Sequence, residues 1–300
     1  MSTTEDNIHM SKCAACGKGG DGLKTCNACK LVKYCNATCQ RGHWSKHKKE
    51  CKKRAAELRD EALFQQPPPR DECDICMLTL PIDTAQRKYQ PCCGKELCMG
   101  CIYAAQMADS RCLCPFCRTP EATLEEEVIE RMKKRVVGDD ARAMHNLGGF
   151  YYNGRMGLPQ DCEKAVELWL RAAELGCAIA YYNLSLAYED GWGVERDMKK
   201  AEHYYELAAK GGHVLARHNL GVNEMDAGNM ERAVKHWMIS AGSGDDKSLE
   251  AIRQCFMNGH ATKDEFEKAL RAHKESKDEM KSEQREAAAA ALSLDGTLCM

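Results

Sequence analysis

Among its 300 residues the sequence has no run of 18 apolar residues, which excludes a membrane-spanning helix. The opening Met1-Ser2-Thr3-Thr4-Glu5-Asp6 has neither a basic flank nor an apolar stretch, so no secretory signal is expected. The expected setting is therefore a reducing compartment, cytoplasmic or nuclear, where disulfides are rare. Aromatic residues are scarce, at 6%, and no aromatic-rich recognition motif accompanies the basic stretches. No nucleophile and base are spaced as a hydrolase or transferase would need them. What the chain does have is cysteine: 20 residues, 16 of them between Cys13 and Cys117. Paired cysteines in a reducing setting read first as metal ligands.

Charge is unevenly spread beneath a net value of −2. Residues 1–69 carry 13 basic against 7 acidic side chains, residues 70–120 balance at 6 and 6, and residues 121–300 carry 24 against 32. A basic head and an acidic body call for different partners. The basic run Lys46-His47-Lys48-Lys49 and Lys52-Lys53-Arg54 reads as a solvated helix face, and nucleic acid is not an expected ligand.

The composition divides the chain into a first cysteine cluster (12–54), a basic, proline-rich linker (55–71), a second cluster (72–119), a linking helix (122–138), a repeat array (139–280) and a flexible tail (281–300). Pro67-Pro68-Pro69 stiffens the linker as an extended spacer. Thr123-Leu124-Glu125-Glu126 reads as a capping box that opens the linking helix.

The array repeats at a period of 36 to 37 residues. Ala143, Asn146-Leu147-Gly148 recurs as Ala180, Asn183-Leu184-Ser185 and as Ala216, Asn219-Leu220-Gly221. Glu167-Leu168-Trp169-Leu170-Arg171-Ala172-Ala173 recurs around Tyr204-Tyr205 and again around Trp237. Each copy reads as two amphipathic helices joined by a glycine-rich turn, Gly154 to Gly157 or Gly191-Trp192-Gly193-Val194. In the third copy Asp226-Ala227-Gly228-Asn229 shortens that turn, and a degenerate fourth copy spans Ser248 to Lys274. One hairpin cannot bury its own apolar face, so the copies stack as a solenoid. The pattern resembles Sel1-like repeats, relatives of tetratricopeptide repeats, and the resemblance implies a groove that binds a protein or peptide. Lone Cys162, Cys177 and Cys255 read as packing residues within repeat helices. A fragment starting after Pro120 is expected to be a helical array indifferent to chelators.

In the first cluster the spacing is Cys13-x2-Cys16-x9-Cys26-x2-Cys29-x5-Cys35-x3-Cys39-x7-His47-x3-Cys51. Eight ligands make two tetrahedral zinc sites, with Cys35/Cys39 and His47/Cys51 each one helical turn apart. About forty residues cannot build a sufficient core without metal. Tyr34-Cys35, Cys39-Gln40, Trp44, His47-Lys48 and Cys51 resemble a MYND zinc finger. That resemblance implies interleaved sites, Cys13, Cys16, Cys35 and Cys39 holding one zinc and Cys26, Cys29, His47 and Cys51 the other, with His43 the competing imidazole. It also implies a groove for proline-containing peptides beside Gln40 and Trp44, against which Trp44 also reads as core.

The second cluster runs Cys73-x2-Cys76-x15-Cys92-Cys93-x4-Cys98-x2-Cys101-x10-Cys112-x-Cys114-x2-Cys117, again enough for two zinc sites, which makes four zinc ions in all. Cys73-Asp74-Ile75-Cys76 and Cys114-Pro115-Phe116-Cys117-Arg118 resemble a RING-type domain in a cysteine-only variant. The resemblance implies Cys73, Cys76, Cys98 and Cys101 for one site. Cys92, Cys93, Cys114 and Cys117 are expected to form the other, with Cys112 the alternative to Cys92 and the cysteine left over a free thiol. Lys95 stands where the family places a histidine. RING domains position a ubiquitin-loaded conjugating enzyme (E2) without forming a covalent intermediate. By resemblance Ile75 and Pro115 would dock the E2, and Arg118 would be the linchpin that bridges it to ubiquitin, or else a surface charge.

The fold class expected is thus two small zinc-stabilised modules, MYND and RING-like, followed by an all-α Sel1-like solenoid. The functional expectation is an E3 ubiquitin ligase whose finger and repeats recruit substrates, with a non-catalytic scaffold or adaptor as the alternative and a MYND-type transcriptional cofactor as a remoter one. MYND fingers also occur in SET-domain methyltransferases, but only 21 residues separate Cys51 from Cys73 and the rest is helical repeat, leaving no place for a SET fold.

Overall fold

A computed structural model describes residues 12–109 and 111–295. The opening segment read for a targeting signal, and the last five residues of the expected tail, lie outside the described residues. The chain divides into two units, Met1–Gln65 and Gln66–Met300.

The first unit is built on its own thiols. A two-stranded ribbon, β1 (Lys24–Thr25) and β2 (Lys33–Tyr34), pairs antiparallel and is followed by the long helix α1 (Ala37–Leu63). Asn36 caps α1 by accepting the Cys39 N–H. Among the described residues its core cluster is Cys13, Cys26, Cys29, Cys51 and Tyr34, with Leu23 and Val32 as its partly buried aliphatic neighbours. So little carbon surface cannot offset chain entropy. The helix runs unbroken through the expected boundary at residue 54. Cys35 precedes the helix cap, so only Cys39 of that pair is helical, whereas His47 and Cys51 both sit on α1.

The second unit begins with the second cysteine module. Strands β3 (Arg87–Gln90) and β4 (Lys95–Cys98) form a hairpin with Gln90 opposite Lys95, and α2 (Met99–Ala108) follows directly. Helix α3 (Glu125–Val137) then leads into the array. Its N-cap is Leu124, with no side-chain cap, so the capping box expected from Thr123 does not form; three glutamates in the first turn complement the helix dipole instead.

The array consists of hairpins α4 (Ala141–Asn153) with α5 (Cys162–Glu174), α6 (Ala178–Asp190) with α7 (Met198–Lys210), and α8 (Val214–Asp226) with α9 (Met230–Gly242). The fourth pair is α10 (Asp246–Met257) with α11 (Lys263–Glu279). Asp140, Asp161, Asp197 and Asp245 cap helices with side-chain oxygens, and Thr262 with Glu265 makes a capping box at α11.

Small residues in the repeat mark close approach. A methyl group on Gly148 would lie 2.5 Å from Trp169 Nε1, and one on Gly221 would lie 2.4 Å from Trp237 Nε1. Each indole donates to a carbonyl on the facing helix, at His145 and His218. In the second copy Ser185 and Tyr205 replace that pair, and the Tyr205 hydroxyl donates to Glu189 instead. Gly193 (φ +68) lets the second turn rest on the start of α5: its Cβ would lie 2.4 Å from the Cys162 carbonyl.

Two further features depart from the sequence reading. Part of the tail is a helix, α12 (Glu283–Asp295), packed against α2 with Ala288 1% exposed. Cys177 is the N-cap of α6 rather than a residue within a repeat helix.

Candidate metal centres

Four Cys-x2-Cys knuckles share one local geometry. The residue after the second cysteine has positive φ in each: Gly17 (74°), Lys30 (58°), Met77 (57°) and Arg118 (61°). Its N–H donates to the carbonyl of the first cysteine at 2.9, 3.0, 2.9 and 2.9 Å respectively. The first cysteine's own N–H is taken by the chain returning at Lys18, Val32, Leu78 or Thr119. Left-handed backbone costs a residue with a side chain on the order of 1 kcal/mol. That cost is met because the turn swings both sulfurs to one side, where a shared cation can hold them.

The remaining ligands come from regular elements. Cys39, His47 and Cys51 project from α1. Cys98 is the N-cap of α2, and Cys101 follows within its first turn. Cys92 and Cys93 occupy the β3–β4 turn ahead of Gly94 (φ 75°).

Four sets converge, and within each the ligand atoms lie within 4.8 Å of one another: Cys13, Cys16, Cys35, Cys39; Cys26, Cys29, His47, Cys51; Cys73, Cys76, Cys98, Cys101; and Cys92, Cys93, Cys114, Cys117. A tetrahedral zinc with thiolates at about 2.3 Å separates sulfurs by about 3.8 Å. The sulfur pairs Cys26–Cys51 and Cys76–Cys98 stand at 3.8 Å, Cys93–Cys114 at 3.9 Å and Cys13–Cys35 at 3.5 Å. Cys29 Sγ lies 3.2 Å from His47 Nε2. Donor type, number and spacing all fit zinc. The sets also share negative charge readily: hydrogen bonding from Cys98 draws Cys73 down to about 4, while burial pushes Cys101 up to about 12. A divalent cation resolves that competition by displacing the protons.

The competing residues resolve as follows. His43 bonds to the Tyr34 hydroxyl at 3.1 Å and stacks on His47, so it is His47 that converges on the thiols. Cys92 completes the last set; Cys112 stands outside it and is disulfide-bonded, not the free thiol expected of the leftover cysteine. Lys95 is held protonated by Asp74 at 2.8 Å, which raises its pKa, and it lies 5.3 Å from the centre of the Phe116 ring. A lysine standing where the RING family places a histidine thus braces the first and last knuckles.

Of the expected contact residues, Gln40 and Trp44 are exposed on α1, four residues apart, so Trp44 is not core. Gln40 Nε2 reaches Cys26 Sγ at 4.0 Å. Ile75 is 41% exposed, Pro115 is half-buried and neighbouring Phe116 is 45% exposed. Arg118 is exposed, with one guanidinium nitrogen 3.2 Å from Asp109.

Sequence reading missed how firmly the second module is held to the array. The Tyr89 hydroxyl donates to Asp140 at 2.7 Å, and its ring packs against the core of the first copy. Arg142 pairs with Asp71 and, at 2.8 Å, with Glu96. Arg135 donates to the carbonyls of Pro91 and Cys92. At the other end Arg285 donates to the carbonyls of Leu78 and Thr79 and approaches Cys76 Sγ at 3.7 Å. A guanidinium there offsets the negative charge that a zinc–tetrathiolate centre carries.

Family models agree with this layout at both ends. The MYND finger model matches residues 13–51, and the Sel1 repeat model matches residues 141–177 and 178–213. The chain is a zinc-binding protein-interaction protein with a MYND finger ahead of Sel1 repeats. Among curated proteins, the N-lysine methyltransferase SMYD2-A of Danio rerio is 44% identical over 45 residues, 15% of this chain and 10% of that protein. The histone-lysine N-methyltransferase SMYD3 of Homo sapiens is 45% identical over 40 residues, 13% and 9% of the two chains. The match thus spans about a tenth of those relatives. Among solved structures, a Sel1 repeat protein from Oxalobacter formigenes aligns with TM-score 0.44 and 23% identity, covering 56% of this chain and 70% of that one. The Escherichia coli antigen c5321 aligns with TM-score 0.43 and 28% identity, covering 51% and 33%.

Proposed function

We propose that this protein is a RING-type E3 ubiquitin ligase: the second module holds a ubiquitin-loaded E2 while the MYND finger and the repeats recruit substrates. The observation that carries the reading is the interleaving of the module's ligand pairs. The first and third pairs form one set, the second and fourth the other. That arrangement fixes the first and last knuckles side by side, with Lys95 bridging Asp74 and Phe116. Ile75 and Phe116 then present apolar surface on adjacent loops, with Pro115 between the last ligands and Arg118 exposed beside them. Such a surface accelerates transfer by positioning alone. In the finger, Gln40 and Trp44 supply the surface for a proline-containing peptide.

A scaffold without ligase activity is the second reading. It is favoured by the attachment of the module to both α4 and α12, through Asp140, Arg142 and Arg285, which makes the module part of the array's framework.

The test is ubiquitin-chain formation by the zinc-loaded protein across a panel of E2 enzymes, beside Arg118→Ala and Ile75→Ala. Chains abolished by both substitutions support the ligase. No chains across the panel, with the zinc content intact, leave the scaffold.

A further inference from the structure

Residues 66–71 carry no helix or strand, and residues 68–71 line a cavity together with the turns between copies of the array. Proline fixes φ near −65° and restricts the residue before it to extended backbone. The Pro67-Pro68-Pro69 tract is therefore preset toward polyproline II, with three residues per turn. Positions 67 and 70 then fall on one face. The burial follows that period: Pro67 and Arg70 are half-buried, whereas Pro68 and Pro69 are exposed.

Each anchor has its own neighbours on the array. Pro67 lines a small depression together with Gly212, Val214, Ile239 and Ser243. Gly212 takes positive φ (87°) beside this path, and a methyl there would come into van der Waals contact with Pro68, 3.5 Å from its carbonyl oxygen. Arg70 donates to Ser276 Oγ at 2.9 Å and approaches Met280 Sδ at 3.1 Å. Next to the segment a cavity of about 310 Å³ remains between residues 68–71 and the turns at 176–179 and 211–215. The contacts thus fall on one residue in three, a prolyl ring and a guanidinium, the spacing at which a polyproline II segment returns to the same face.

We infer that this edge of the array is a recognition surface for Pro-x-x-Arg segments in polyproline II conformation, held in cis by residues 67–70 of the chain itself. A partner protein that carries the same pattern binds by displacing the resident segment. The inference rests on the reading of the repeats as a recruiting surface and names the chemistry they recruit. A tethered segment competes at an effective concentration in the millimolar range, so the natural chain holds its own edge closed to weak ligands.

The experiment uses the full chain and a fluorescein-labelled peptide repeating residues 66–71, read by fluorescence anisotropy. Pro67→Gly with Arg70→Ala vacates the edge and is expected to bind the peptide at least tenfold more tightly than the natural chain. A peptide with alanine in place of its arginine is expected to show no such gain. Adding Trp44→Ala, an exposed change in the finger, should leave the gain intact. Arg70→Ala alone should give a smaller gain in the same direction and serves if the double variant does not fold. No gain in a folded variant overturns the inference, as does a gain that disappears with Trp44→Ala, since the peptide would then be sitting on the finger. Ubiquitin transfer is read separately, so losing this inference leaves the ligase reading standing.

Discussion

Arg285 on α12 donates to the carbonyl of Thr79 at 2.7 Å, joining positions 206 residues apart. The same guanidinium reaches the carbonyl of Leu78 and the sulfur of Cys76. One side chain therefore orients a zinc knuckle and balances the charge of its thiolates. Partners of this kind are worth about 10- to 100-fold in metal affinity. Arg285→Ala is expected to release zinc from the Cys73, Cys76, Cys98, Cys101 set about tenfold more readily, measured by competition with a chromophoric chelator. Unchanged release would reduce Arg285 to a packing residue.

The contact between α12 and α2 makes the end of the chain depend on zinc. A 13-residue helix is marginal in water without tertiary support. Chelation of the full chain is expected to abolish amide-exchange protection over 283–295 while α4 to α9 stay protected. Protection that persists over 283–295 after zinc removal would show that α12 stands without the module.

Two glycines in the repeats separate packing from propensity. Gly221→Ala drives a methyl to 2.4 Å from Trp237 Nε1, whereas Gly149 in α4 has nothing within 4 Å of its added Cβ. The first substitution is expected to lower stability by about 1–3 kcal/mol through overpacking. The second is expected to raise it by about 0.5–1 kcal/mol, because alanine loses less entropy in a helix. Thermal unfolding followed by circular dichroism compares them directly; similar shifts in the same direction would contradict the packing described.

Acid should loosen the array. Burial pulls His145 down to about 3, with Arg142 and Arg87 acting in the same direction, and His213 is pulled down to about 3 by burial together with His145, Arg87 and Arg142. The folded values lie below the unfolded one near 6.5, so between pH 6.5 and 3 the unfolded chain binds more protons and stability falls as pH falls. From pH 7 to pH 5 each histidine contributes at most about 2 kcal/mol of loss, and about half that once its residual solvent contact is allowed for. Replacing His213 with Gln is expected to flatten the dependence, measured as denaturation midpoint against pH. An unchanged slope would place the titration elsewhere.

The sequence made the local chemistry legible. Knuckle spacing brings two sulfurs together within four residues, and the Ala, Leu and Gly positions of the repeat mark helix contacts at a fixed period. What escaped was long-range. Nothing local to Tyr89, Arg142 or Arg285 announces partners 51, 46 or more than 200 residues away. The run of five alanines in α12 has too little amphipathic contrast to signal a docked face, which is why it read as a tail. The proline tract read as a spacer because its stiffness is local, while its seat is assembled from turns far along the chain. At Thr123 a short motif misled, since Leu124 takes the cap position and the glutamates act through the helix dipole.

The zinc content of the purified chain, measured by native mass spectrometry, tests the account most directly. Four zinc ions per chain are expected, falling to three when Cys92→Ser and Cys114→Ser are combined, because both belong to a single set. Two zinc ions in the natural chain would contradict the account: the second cysteine module would then not be a zinc module, and the docking surface inferred from it would go with it.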